Sequence, residues 1–188
     1  MVFPFSFAAQ GTVRAARAAD LPHLEWHGGA DLRSFYQNLW HRHEHDEMAL
    51  LVADLSGFPI GQIVILWRGK VSHPHFPDLQ SLRVHPAFRG LGVGTRLIEA
   101  AEIFCAARGF DKVGLSVGLD NPHARRLYER LGYESQEIIY DEEWSYTDQK
   151  GHEIHVIERV LDLVKPLQSE PLKTEALANK ESPAPQKM

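Results

Sequence analysis

Along the chain, apolar positions switch between a two-residue and a three-to-four-residue period, and the switches predict the elements. Residues 12–17 alternate weakly and predict a short strand. Asp20 then stands where a helix N-cap is expected, with Pro22 in the first turn. Gly28-Gly29 breaks that helix and Asp31 can cap the next, where Leu32, Phe35, Tyr36, Leu39 and Trp40 form one amphipathic face. Residues 48–54 and 59–67 are apolar, β-branched runs split by Leu55-Ser56-Gly57-Phe58, an antiparallel hairpin pattern. Leu79, Leu82 and Val84 predict another strand, halted by His85-Pro86 because proline has no N–H for a ladder. Leu97, Ile98, Ala101, Phe104 and Cys105 give one stripe of a helix that stops at Gly109. Over residues 112–121, Val113, Leu115, Val117 and Leu119 share one strand face, and Gly114, Ser116 and Gly118 the other. Asn121 and Pro122 open a last helix with Ala124, Leu127, Tyr128 and Leu131 as its stripe and Gly132 as its stop. Residues 134–146 and 152–164 pair as a closing hairpin.

This order is β-α-α-β-β-β-α-β-α-β-β. The strands at 79–84 and 113–119, joined through a helix, are expected to be parallel with a right-handed connection. The hairpins make the rest antiparallel, so the expected fold is α/β (α+β) with a mixed sheet. Residues 1–165 read as a single domain. Residues 166–188 are rich in Pro, Ser, Glu, Lys and Ala without apolar period and predict a disordered tail. The first nine residues lack a basic region and are interrupted by Pro4, the pattern of a ragged leader or a first edge strand.

Composition narrows the function classes. With 188 residues, 44% hydrophobic and 24% charged, the chain has the make-up of an ordinary globular domain. A net charge of −5 argues against a nucleic-acid partner. No run reaches the ~18 apolar residues of a membrane helix, so no membrane partner is expected and the cytoplasm is the default compartment. Cys105 is the single cysteine, and its place on the helical stripe predicts a buried, inert thiol.

The candidate chemistry centres on Arg89-Gly90-Leu91-Gly92-Val93-Gly94, between a strand and a helix. Glycines let the backbone approach a ligand closely, and the first helical turn offers unpaired N–H groups with the positive end of the helix dipole. That suits a phosphate or pyrophosphate; a tight packing turn would use the same residues. A Walker loop would need Gly-Lys-Ser/Thr where Gly94-Thr95-Arg96 stands. A dinucleotide fingerprint would need glycine where Thr95 or Leu97 stands. His41, His43 and His45 share a face only if extended, so a solvated helix end is expected there rather than a metal site. Residues 70–77 read as a surface loop, with His73 and His75 lining the mouth of a site as the lesser alternative.

The spacing Arg-x-x-Gly-x-Gly at Arg89, Gly92 and Gly94 resembles the acetyl-CoA loop of the GNAT (Gcn5-related) N-acetyltransferases. Residues 121–133, Asn-Pro-His-Ala-Arg-Arg-Leu-Tyr-Glu-Arg-Leu-Gly-Tyr, look like the same family's Asn-x-x-Ala-x-x-Leu-Tyr-x-x-x-Gly-aromatic segment. The resemblance covers roughly residues 12–164. It implies a mostly antiparallel sheet with a central splayed parallel pair and helices on both faces. It also implies acetyl-CoA as cosubstrate, with no metal.

On that resemblance, main-chain groups at Leu82 and Val84 would bond the pantetheine, and N–H groups of Arg89, Gly90, Leu91, Gly92, Val93, Gly94 and Thr95 would hold the pyrophosphate. Asn121 would hydrogen-bond the pantetheine and Tyr128 would protonate the departing thiolate. A plain helix cap and a core aromatic are the simpler readings of those two residues. Arg125 and Arg126 would serve the CoA phosphates or a solvated helix face. The implied reaction is acetyl transfer to a primary amine, on a small molecule or a peptide, by direct attack in a ternary complex. Where many relatives carry an acidic residue before the glycine turn, this chain has Gln80 and Ser81. No general base is singled out: deprotonation through water, through His85, or through Glu137, Asp141, Glu142 or Glu143 on the late hairpin stays open, with Asp78 at the strand edge. That gap motivates the alternative, a non-catalytic acyl-CoA-binding or regulatory module. The exposed late hairpin leaves room for a homodimer.

Overall fold

The structure is a computed structural model and describes residues 10–27, 32–148 and 150–167. Its strands are β1 (Gly11–Ala15), β2 (Met48–Leu55), β3 (Phe58–Leu66), β4 (Asp78–Val84), β5 (Lys112–Gly118), β6 (Glu134–Thr147) and β7 (Glu153–Pro166). They form one seven-stranded sheet in the order β1-β2-β3-β4-β5-β7-β6. All neighbours are antiparallel except β4 and β5, the pair joined through a helix. The α-helices are α1 (Arg33–Glu44), α2 (Val93–Ala107) and α3 (Pro122–Arg130).

Strand alternation divides the core between the two faces. Met48, Leu50, Val52 and Val64 pack against Leu24, Tyr36 and Leu39, under α1. Leu51, Ile63, Ile65, Leu79, Val113, Leu115, Val117, Leu161 and Leu163 pack against Leu97, Ile98, Ala101 and Cys105 of α2. This accounts for the unbroken apolar run of β2, which is buried on both faces. Phe104, expected on the α2 stripe, lies at its margin and is 39% exposed.

Three local expectations are corrected. Ala18–His27 is a run of 3-10 turns with Pro22 inside it, not an α-helix opened by Asp20. The Asp20 carboxylate instead accepts the Arg17 N–H at 2.7 Å and binds Arg14, whose guanidinium also reaches Asp54 on β2. Residues 70–77 are not a plain surface loop, because Lys70 and His73 bury their side chains. The last strand continues to Pro166, and the Leu167 N–H donates to the Asp111 carbonyl at 2.7 Å. The Gly28-Gly29 break, the Asp31 cap, the first nine residues and the sequence from 168 onward lie outside the described residues.

Candidate active site

β4 and β5 pair at only two rows, Asp78 with Gly114 and Leu79 with Leu115, and diverge beyond them. A bulge drives β4 away. Ser81 and Leu82 stand opposite Ile63 alone, between the rows Gln62–Arg83 and Val64–Gln80, and Ser81 takes φ +51°. A non-glycine residue in that region is strained and persists only where its surroundings over-determine it. Past the bulge, the His85 N–H donates to the Ile60 carbonyl at 2.8 Å, which makes Gly61–Val84 a non-bonded row. The N–H and C=O of Val84 therefore face the gap, and the side chains of Leu82 and Val84 both approach Gly94.

The glycine turn closes the top of this gap. Gly90 and Gly92 take φ +76° and +82°, and Gly92 is the residue before α2. No atom lies within 4 Å of where a Cβ on either would stand, so the turn's outer side is open. The Arg96 N–H bonds the Gly92 carbonyl at 3.1 Å, leaving the N–H groups of Val93, Gly94 and Thr95 in the unpaired first turn. A Cβ on Gly94 would stand 3.7–4.0 Å from Val84, Leu82 and Leu127, so this glycine sits where β4, α2 and α3 converge. Arg89 folds back, its Nε donating to the Val84 carbonyl at 3.1 Å.

A cleft of about 570 Å³ passes through the splay. Ile98, Asn121 and Tyr128 line it on the α2–α3 side, and Phe35, Lys70, Gln80, Ser116 and Glu142 on the α1 side. Leu82 lines it too, whereas Val84 and the glycine turn border it from above. The Asn121 side-chain oxygen accepts the Ala124 N–H at 3.1 Å, as a cap should, which leaves its amide NH₂ for the cleft. Tyr128 is 9% exposed, packed edge-on to Tyr133 at 6.0 Å. Burial, with the charge of Asp78 added, pushes its phenol up to about 12. Arg125 is paired with Glu129, and Arg126 lies against His123, both on the exposed face of α3.

The polar floor was not legible in the sequence. Asp78, read as an edge residue, is wholly buried and accepts from His73 Nε2 and Gln80 Nε2, each at 2.8 Å. Lys70 Nζ donates to Ser116 Oγ and lies 3.3 Å from Glu142, 3.7 Å from Asp162 and 3.9 Å from Asp78. Asp162 Oδ1 also accepts from Tyr140 at 3.1 Å and from Ser116. Bonds from Ser116 and Ser72 and the charge of Lys70 hold the Asp162 carboxyl below its usual range against the cost of burial. Gly114 makes the room: a Cβ there would stand 2.7 Å from His73 and 2.9 Å from Phe76. The one available signal was the small face of β5, which accommodates this loop.

His85, Glu137 and the histidines of α1 do not line the cleft. His85 accepts the Ala87 N–H and lies among the rings of Trp26, Phe58 and Phe88. Glu137 sits in a β6 irregularity at φ +58°. His41 and His45 are adjacent rings at the end of α1, 4.2 Å apart, while His43 turns to Trp40. Among the described residues, no three of His, Cys, Asp and Glu converge as metal ligands.

The site is thus a cleft through the sheet beneath a glycine turn with an open outer side, with Tyr128 on its wall. The model of the Acetyltransferase (GNAT) family matches residues 15–133, and the chain belongs to that family. An uncharacterized N-acetyltransferase of Methanocaldococcus jannaschii is 33% identical over 98 residues, 51% of this chain and 43% of that protein. The match thus spans less than half the length of that curated relative. A ribosomal-protein-alanine N-acetyltransferase from Brucella melitensis superposes with TM-score 0.63 at 19% identity, covering 83% of this chain and 99% of that one. An acetyltransferase of Salmonella typhimurium solved with acetyl-CoA gives TM-score 0.60 at 17% identity, with 88% and 99% covered. A phosphinothricin acetyltransferase of Sinorhizobium meliloti in complex with acetyl-CoA gives 0.60 at 21% identity, with 92% and 93% covered. At these identities the likeness establishes the fold.

Proposed function

We propose that this acetyltransferase moves the acetyl group of acetyl-CoA to a primary amine by direct attack in a ternary complex. The observation that carries the reading is the two-row pairing of β4 with β5, which leaves a gap through the sheet beneath an open glycine turn. The residues fit the coenzyme. The free N–H groups from Val93 to Thr95 suit its pyrophosphate, and β4 at Leu82 with the gap-facing N–H of Val84 suits its pantetheine amides. Asn121 offers its NH₂ to the same arm. A main-chain N–H at β4 fixed on the thioester oxygen would stabilise the charge that develops there. Tyr128 keeps its proton across the working pH range and supplies it to the thiolate. The acceptor enters from the α1 face, so the two substrates meet in the splay.

The acceptor is an amine of a small molecule or a peptide, in a cytoplasmic setting, with a homodimer as the assembly. The test is free-thiol release from acetyl-CoA against an Ala-initiated peptide, a lysine amide, spermidine and free amino acids, alongside calorimetry with CoA. Turnover with at least one amine is expected. Heat of CoA binding without turnover of any amine would leave an acyl-CoA-binding module, and absence of both would overturn the reading.

A further inference from the structure

Four carboxylates reach the cleft wall, on Asp78, Glu142, Glu143 and Glu158. Geometry separates them. Asp78 is wholly buried, with its oxygens taken by His73 and Gln80. The Glu158 carboxylate is folded over Gly118, alongside that of Asp120. Glu143 pairs with Ile157 and, one residue from Glu142, presents its side chain to the opposite face of the hairpin. Glu142 is different. Its side chain is 35% exposed, lines the cleft, and is held through Oε1 by Lys70 at 3.3 Å, which leaves Oε2 outside that contact.

Lys70 is an unusual holder. Its side chain is 11% exposed and its ammonium is anchored by Ser116, Asp162 and Asp78, residues of three different strands. Burial opposes its charge, and Asp78, Tyr140 and Glu142 outweigh that opposition, so Lys70 titrates above its ordinary value and stays cationic. Around Glu142 therefore stand Lys70 from the loop, Asp78 and Arg83 on β4, Glu158 and Asp162 on β7, and Tyr140 on its own strand.

We propose that Glu142 is the proton acceptor of this cleft and Lys70 the residue that positions it, a role that rests on the acetyl-transfer reading above. An alkylammonium entering from the α1 face gives one proton to Glu142. The free amine attacks the thioester carbon, a C–N bond forms and the C–S bond breaks. The departing thiolate takes a proton from Tyr128, whose phenolate recovers one from the new amide nitrogen. Glu142 passes its proton to water, so one proton is released per turnover and nothing is oxidised.

The decisive experiment compares wild type, Glu142→Gln and Lys70→Met with acetyl-CoA and the same four classes of amine, between pH 6 and pH 10. For Glu142→Gln, kcat/KM for the amine should fall about 100-fold at pH 7. The deficit should narrow toward pH 10, where the amine loses its proton unaided, while CoA affinity by calorimetry stays unchanged. Lys70→Met keeps the base and loosens its pose, so kcat should drop about tenfold with a raised amine KM. Activity of Glu142→Gln within about threefold of wild type, or a loss equal at every pH, would overturn the proposal. A wild type that binds CoA and turns over no amine overturns acetyl transfer and this role together. An active wild type beside an indifferent Glu142→Gln overturns this role alone.

Discussion

Tyr128 is nearly buried, with its ring edge-on to Tyr133, and it also lines the cleft, so its position accommodates the core-aromatic reading and leaves the proposed proton-donor role to experiment. Removing the hydroxyl should leave the fold intact and take away the proton donor. Tyr128→Phe is expected to lower kcat about 100-fold with little change in CoA affinity, measured by steady-state kinetics and calorimetry. Cys105 makes the opposite case. It is wholly buried, and burial pushes its thiol up to about 12, so no thiolate is available near neutrality. An aromatic disulfide reagent should fail to label it in the folded protein and label it fully in denaturant. Both residues were legible from the helical period, because the period reports which side of a helix is buried. The place of Tyr128 on a cleft wall was not, because that depends on where β4 and β5 part.

Among the elements, β5 shows how a strand's small face is used. Gly114 and Gly118 lie on the same face, yet their surroundings differ. An alanine at 114 would meet the stacked rings of His73 and Phe76, wedged between strand and loop. An alanine at 118 would meet the carboxylate end of Glu158, a flexible chain able to move. Gly114→Ala should therefore destabilise by about 1–3 kcal/mol and Gly118→Ala by clearly less, read from urea midpoints. The glycine turn, the Asn121 cap and the Gly132 stop were readable because each is decided within a few residues by φ and by one N–H. The Ser81 bulge was not, since nothing local marks a serine for φ +51°. It is imposed by the register of β4 against β3.

At the scale of the whole molecule, Arg14 ties β1, the 3-10 run and β2 together through Asp20 and Asp54. The Arg14 guanidinium and the Arg17 N–H hold the Asp20 carboxyl below its usual range. A depressed carboxyl favours the fold while ionised, so its contribution is complete above the ordinary carboxylate range, about pH 4, and is lost as pH falls through the lower folded value. Asp162 shifts in the same direction and adds to the same loss. Stability should thus be level from pH 7 to pH 5 and decline below about pH 4. Asp20→Asn should lower it by about 1–3 kcal/mol at pH 7, a deficit that shrinks in acid, as followed by urea denaturation at stepped pH.

The sequence by itself determined the order of elements, the parallel joining of β4 and β5, the glycine turn and the capped helix carrying Tyr128. Each of these follows from hydrophobic period or from the dihedral limits of glycine and proline, which act over a few residues. Only the tertiary structure decided where β4 bends from β5, at the Ser81 bulge, and that Asp78 is buried. It alone brought Lys70 to Ser116 and Glu142, 46 and 72 positions away along the chain. Contacts across such separations carry no local pattern, because they exist only once the sheet has set its register.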